Sequence, residues 1–339
     1  MSLLSGDDPA AIQAAAQRLA DGGLVALPTE TVYGLGARAD DDAAVAAIFA
    51  AKGRPADHPL IVHVADWAQA LPFIDQDATP LSAALSRLTQ AFWPGPVTLI
   101  VARAPGMGEA AAAGQDTIGL RCPAHAVALA VLRAAAALGV PGVAAPSANR
   151  FGRVSPTSAA HVQQEFGPAL WVIDGGDCAL GIESTIIDFS RGHPVLLRPG
   201  VLTPAALEAA MGVPLQAADA QAPRAPGTLA SHYAPAARLR LWAPDALSAR
   251  LAASALHAGE ILPARLAVYS RRAGDAGAAG EREWLWARMP DDAQSAAHEL
   301  FAVLRRFDAD DATEIWVAQP PDTPDWHGVT DRLRRAATP

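Results

Sequence analysis

Apolar residues run along this chain in short blocks separated by stretches of helical periodicity. GLVALP (23–28) is a near-continuous apolar run bounded by Gly and Pro, which predicts a strand. DDAAVAAIFAAKG (41–53) repeats small apolar residues at helical spacing and predicts a helix closed by Gly53. PLIVHVA (59–65), PVTLIVA (96–102) and TIGLR (117–121) predict strands, with a helix over SAALSRLTQAF between the first two. An Ala-rich helix near 124–138 and the segment GVAAPSAN (142–149) follow, then strands in WVIDGG, STIIDF and PVLLR. TPAALEAAMG reads as a helix with Thr203 as N-cap and Pro204 in the first turn. Residues 1–212 thus predict an α/β domain around a twisted mixed sheet.

Residues 213–237 shift sharply to Pro, Ala and polar residues, the composition of a linker. The alternation then restarts over 238–339. RLRLWA, RLAVYS, EREWLWAR and TEIWVAQ predict strands; PDALSARLAASALHAG, AQSAAHELFAVLRRFDAD and GVTDRLRRAA predict helices. That order predicts a smaller Rossmann-like α/β domain with a parallel sheet. It lacks a GxGxxG or Walker signature, so no nucleotide site is argued for it. SRRAGDAGAAGERE (270–283) is expected to be a loop.

Composition narrows the function classes. A length of 339 residues suits two domains. A net charge of −9 disfavours a broad nucleic-acid face while leaving room for a local basic pocket, so little direct tRNA binding is expected. Cys122 and Cys178 lack metal or redox spacing, which makes them small buried residues and fits a reducing cytoplasm. No apolar run is long enough to span a bilayer, and no secretory pattern opens the chain.

Polar residues gather around the predicted strand ends. PTETVYGLG (28–36) places hydroxyls and Glu30 after the first strand, or is an ordinary strand–turn–helix junction. Lys52 is the single lysine of the chain, two residues before Arg54. The pair suits a polyphosphate, or is a solvated cation pair meeting a helix dipole. His63 and Arg121 each end a strand; the arginine requires an anionic partner, either a protein carboxylate or a substrate carboxylate. APSANRFGRVSPT (145–157) packs Ser147, Asn149, Ser155 and Thr157 into one Gly- and Pro-shaped loop, able to cradle a phosphate or to cap the following helix. Ser184 and Arg198 add a hydroxyl and a cation at two further strand ends.

PTETVYGLGA, KGRPADHPLIVH, FWPGPVTLIV, TIGLRCP, APSANRFGRVSPT, GIESTIID and LLRPG occur here in the order that resembles the L-threonylcarbamoyladenylate synthases, which are YrdC-like enzymes. PGTLASHYAP and the small domain after it resemble the long, two-domain form. The resemblance implies a YrdC-like catalytic domain over 1–212, a linker that closes as a lid over 213–237, and a C-terminal domain over 238–339. It implies nucleotidyl transfer: L-threonine, bicarbonate or CO2, and ATP give L-threonylcarbamoyl-AMP and pyrophosphate, with Mg2+ carried on the ATP phosphates and no protein metal ligands. A separate transfer machinery then uses the product for t6A at position 37 of tRNA. By motif, the resemblance assigns Lys52 and Arg54 to catalysis. It assigns Lys52, Arg54, Ser147, Asn149, Ser155 and Arg198 to ATP, with Thr117, Tyr233 and, through its backbone, His58. It assigns Thr31, His63, Arg121, Ala145 and Ser184 to L-threonine.

Two other readings compete. A noncatalytic RNA-binding protein on the same fold requires a broad basic face. A carbamoyl-transfer module of the hydrogenase-maturation type carries cysteine-rich and acylphosphatase-like segments, which this chain lacks.

Overall fold

In the computed structural model the described residues are 2–79, 82–256, 265–272 and 284–338. They form two compact units, Met1–Phe151 with Ser155–Thr228, and Gly152–Val154 with Leu229–Pro339.

The first unit begins with β1 (Leu3–Ser5) and α1 (Pro9–Ala20), then β2 (Val25–Leu27), β3 (Gly34–Arg38) and α2 (Asp42–Lys52). β4 (Ile61–His63), α3 (Trp67–Ala70), α4 (Ala83–Phe92), β5 (Val97–Ala102), β6 (Thr117–Arg121) and α5 (Ala126–Ala137) follow. β7 (Val143–Ala144), α6 (Ala159–Phe166), β8 (Trp171–Asp174), β9 (Thr185–Asp188), β10 (Val195–Arg198), α7 (Pro204–Met211) and β11 (Gln216–Ala217) complete it. Among the described residues these strands form one eleven-stranded mixed sheet in the order β1-β8-β2-β3-β7-β4-β6-β5-β9-β10-β11.

Each helix follows from local chemistry. Asp8 caps α1 by accepting from Ala10 N, and Pro9 starts it. Ile12, Ala15, Ala16 and Leu19 repeat at helical spacing and pack with Val131, Leu132 and Ala135 of α5. Asp41 caps α2, and Gly53, at φ 61°, ends it in the left-handed region where a side chain is strained. Val45, Ile48, Phe49 and Lys52 form the buried face of α2 at i, i+3, i+4 and i+7. Lys52 is therefore the last position of an apolar stripe. The solvated helix-end cation is excluded.

Strand alternation separates the two faces of the sheet. Val62, Leu99, Leu120 and Ile187 join the large core that includes α2, α4 and α7. Ile61, Ile100 and Ile186 gather with Ala225 on the other face. β4 and β6 are parallel with Ile61 beside Gly119 and His63 beside Arg121. Thr117, Gly119 and Arg121 thus share the Ile61 face.

Features beyond the predicted elements include β1, α1, α3, β3 and β11. β3 arises because GLGAR pairs on both sides, with β2 and β7, where the sequence had left a strand–turn–helix junction open. Residues 213–228, linker-like in composition, group with the first unit; β11 pairs with β10 there.

The second unit contains β12 (Arg238–Trp242), α8 (Pro244–Leu256), β13 (Leu266–Ser270), β14 (Leu285–Arg288), α9 (Ala293–Ala309), β15 (Glu314–Ala318) and α10 (His327–Ala336). Its strands lie in the order β12-β15-β13-β14 and every pair is parallel, as a Rossmann-like arrangement requires. Leu247, Leu251, Leu266, Val268 and Trp316 fill one side of the sheet. Positions 273–283 of the expected loop, and 257–259 of the expected helix after β12, lie outside the described residues.

Ile48 is fully buried on the α2 face that aims Lys52. Ile48→Ala is expected to cost about 2–5 kcal/mol, read as a lowered urea midpoint with an unchanged slope.

Candidate functional site

The site begins at the end of α2. The Lys52 ammonium is 2% exposed and donates to Ser147 O at 2.5 Å and Asn149 O at 2.6 Å. The loop returns the contact: Phe151 N donates to Lys52 O, and Arg150 Nη1 to Ala51 O, satisfying carbonyls that the helix end leaves open. Burial pushes the Lys52 ammonium well below a lysine's usual range; neighbouring Arg54 adds to this, and Glu165 and Glu183 oppose it. Arg54 donates to Pro59 O at 3.0 Å, and its guanidinium lies 5.6 Å from the centre of the Phe151 ring. The His58 ring stands 5.4 Å from the same Phe151 ring. Burial, and then Arg54, lowers the His58 pKa.

A second cluster forms on the Ile61 face. Arg121, 4% exposed, donates from Nη1 to Thr31 Oγ1 at 2.8 Å and from Nε to Gly95 O at 3.3 Å. Its Nη2 lies 2.7 Å from Glu30 Oε1. Of the two anionic partners open to this arginine, the structure supplies the protein carboxylate. Thr29 Oγ1 organises the 28–33 turn: it lies 2.9 Å from Thr31 Oγ1, donates to Val32 O and accepts from Val32 N. His63 sits beside Arg121 in register and contacts Ile61 O through Nδ1 at 3.3 Å. Burial, and then Arg121, lowers its pKa to about 3, so His63 is neutral at physiological pH.

A third group gathers around the start of β9. Ser155 Oγ donates to Glu183 Oε1 at 2.5 Å, and the next residue, Ser184, places Oγ 2.8 Å from Thr98 Oγ1. Arg198 donates to Ser184 O from Nε and Nη2, to Ser184 Oγ, and to Pro226 O from Nη1. It clamps β10 to the start of β9 and to the 213–228 segment.

The fourteen residues singled out from the sequence thus divide. Lys52, Arg54, His58, Ser147 and Asn149 meet around the 145–151 loop. Ala145 begins that loop, its N–H donating to Ile61 O. Thr31, His63 and Arg121 meet on the sheet face, and Ser155, Ser184 and Arg198 beside it. Thr117 is on the same face as Arg121, four residues back, ~13 Å along the strand. Tyr233, at φ 63°, belongs to the second unit; its ring packs on Phe301 at 5.5 Å between centroids, with the Arg332 guanidinium 5.4 Å from its centre. Glu183, Phe151 and Thr98 had not been singled out. GIEST carried the signal for Glu183, because a carboxylate beside predicted phosphate hydroxyls is out of place unless it holds one of them. Among the described residues no group of three His, Cys, Asp or Glu is placed to hold a metal, and no helix is long and apolar enough to cross a membrane.

Comparison with known proteins decides the family. The Sua5_yciO_yrdC family model, described as "Telomere recombination", matches residues 17–200. A second, described as "Threonylcarbamoyl-AMP synthase, C-terminal domain", matches residues 202–338. The chain is 42% identical over 234 residues to the threonylcarbamoyl-AMP synthase of Pyrococcus abyssi (strain GE5 / Orsay), covering 67% of this chain and 66% of that one. It is 43% identical over 244 residues to the threonylcarbamoyl-AMP synthase of Bacillus subtilis (strain 168), covering 70% and 68%. The chain belongs to the threonylcarbamoyl-AMP synthase family. The aligned region spans about two thirds of these curated relatives. A solved structure of P. abyssi Sua5 complexed with L-threonine superimposes with a TM-score of 0.84 at 33% identity, covering 99% of this chain and 96% of that one. The eleven-stranded sheet and the parallel four-stranded sheet are thus the two-domain architecture of this synthase family.

The buried, neutral His63 carries a pH signature. Its folded pKa lies below its unfolded value, so its contribution is fully present above about pH 6.5 and is lost as pH falls toward 3. His63→Asn should flatten the fall in unfolding free energy between pH 6 and 4, by up to ~1.4 kcal/mol per pH unit. Denaturant melts of both proteins across that window check it.

Proposed function

We propose that this chain is an L-threonylcarbamoyladenylate synthase, a nucleotidyltransferase that joins L-threonine, bicarbonate or CO2, and ATP, releasing pyrophosphate. The observation that carries the reading is the pairing of two charge environments within one unit. Lys52 and Arg54 form a buried cationic wall at the 145–151 loop. Arg121 with Thr31 forms a buried cationic seat on the sheet face. The first suits a triphosphate and the second an amino-acid carboxylate.

The roles follow from donor geometry. An ammonium carries three protons, and Lys52 directs two at Ser147 O and Asn149 O. The third is left for a phosphate oxygen, so the same group shapes the loop and neutralises its ligand. Anion binding offsets the burial that depresses the Lys52 pKa. Ser155 directs its proton to Glu183 and so can accept from a donor of the nucleotide, a ribose hydroxyl or the adenine amine. Ser147, Asn149, Thr117, His58 and Arg198 complete the ATP assignment; His63, Ala145 and Ser184 complete that for threonine. Neutral His63 offers a hydrogen bond to the threonine without adding charge beside Arg121.

In the reaction, the threonine amine takes up bicarbonate to give a carbamate. A carbamate oxygen then attacks the α-phosphorus, the bond to the β-phosphate oxygen breaks, and pyrophosphate leaves. Orientation of two anions against fixed cations is the main service of the protein. Mg2+ carried on the triphosphate would supply further charge neutralisation, and the Glu183 carboxylate would offer it an oxygen donor. The product is consumed by a separate tRNA threonylcarbamoyl-transfer machinery. A net charge of −9 supports that separation, and the buried free cysteines support work in the cytoplasm.

Pyrophosphate release from Mg-ATP should require threonine and bicarbonate together; release without threonine, or none with all three present, sinks the reading. Lys52→Ala should lower kcat/KM for ATP by roughly 100-fold or more, the scale of losing one preorganised charge-stabilising donor. Unchanged turnover in that variant would overturn the phosphate assignment.

A further inference from the structure

Glu30 has no role in the assignments above, yet it is among the least expected side chains in the site. It is 6% exposed, in the 28–33 turn, directly before Thr31. Neither carboxylate oxygen accepts a hydrogen bond, and its ion-pair contact is Oε1 at 2.7 Å from Arg121 Nη2. A carboxylate buried with so few donors is costly unless another cation completes its shell. Its backbone is pinned, since Leu180 N donates to Glu30 O at 2.7 Å. The charged and titratable groups facing it are Arg121 and, more weakly, His125, whose pKa burial lowers, and the thiols of Cys122 and Cys178, whose pKa values burial raises. His125 Nδ1 is buried and makes no hydrogen bond.

The chemistry supplies a fitting cation. Threonine enters as a zwitterion, with its carboxylate on Arg121 in the reading above, on which this inference rests. Its ammonium then needs an anion next to that arginine, and it must lose a proton before its nitrogen can attack carbon.

We propose that Glu30 holds the ammonium of bound L-threonine and accepts the proton it sheds. One N–H bond breaks and its proton passes to a Glu30 oxygen, leaving the neutral amine. The amine nitrogen forms a bond to the bicarbonate carbon. The carbon–hydroxyl bond breaks, and hydroxide departs as water with a second amine proton. The carbamate anion remains. Arg121 holds the Glu30 carboxylate at 2.7 Å until the ammonium arrives, and Thr31 bonds to the same guanidinium.

A rival use of the same geometry is a placeholder: Glu30 occupies the Arg121 seat until the substrate carboxylate displaces it. Glu30→Gln separates the two, measured by calorimetric binding of L-threonine and of Mg-ATP to the full chain. Binding of Mg-ATP within twofold of wild type shows that the variant is folded. Threonine binding weakened roughly 10- to 100-fold, the span of one charge-assisted hydrogen bond, is the expected result. (2S,3R)-2,3-dihydroxybutyrate, which replaces the ammonium by a hydroxyl, should lose less than threefold on the same substitution. Threonine binding that is unchanged or tightened, or an equal loss for both ligands, overturns the proposal. Wild-type chain that binds no threonine at all would instead overturn the functional reading itself.

Discussion

A single buried ammonium organises the catalytic half of this molecule. Lys52 occupies the last position of the apolar stripe of α2, where burial works against its charge. What compensates is the carbonyl pair of Ser147 and Asn149, while the same loop caps the carbonyls at the end of α2. Helix end and loop therefore hold each other, and neither arrangement is complete without the other. A lysine suits this task better than an arginine, because a compact ammonium can serve two carbonyls and a ligand from one point. In a chain with one lysine and many arginines, that is a physical reason for the exception.

The remaining charges obey the same logic of pairing. Arg121 is matched by Glu30, Arg198 is absorbed by the carbonyls of Ser184 and Pro226, and His63 stays neutral. The result is a first unit whose interior carries cations in fixed positions, Lys52, Arg54 and Arg198 oriented mainly by backbone carbonyls and Arg121 by Thr31, Glu30 and the Gly95 carbonyl. Such preorganisation is what a reaction between two anions demands, since the cost of ordering the dipoles is met during folding.

Much of this was legible in the sequence. Strong apolar blocks such as TIGLR and PVTLIVA became strands because burial on both faces leaves little ambiguity. GLGAR did not read as a strand, because its glycines look like a turn until the neighbours that pair with it are known. The Pro- and Ala-rich segment after 212 read as linker, but composition does not reveal that Gln216–Ala217 adds to the sheet edge. Lys52 and Arg54 were visible as an oddity of composition. The burial of Lys52 was not read from the sequence, where a solvated helix-end cation stayed open, although its spacing from Val45, Ile48 and Phe49 held the signal. The partner of Arg121 was not visible. Ninety positions of sequence separate it from Thr31, and only the register of β4 and β6 with the folded-back turn brings them together.

The central claim is that the Lys52 ammonium holds the 145–151 loop in its ligand-ready shape. Hydrogen exchange of the backbone amides in the ligand-free protein, comparing wild type with Lys52→Met, tests it most directly. The account predicts faster exchange at Ala148, Asn149 and Phe151, whose amides donate to Tyr33 O, Ser147 O and Lys52 O, with the amides of β6 and of the second unit unchanged. Equal protection of the loop in both proteins would contradict it.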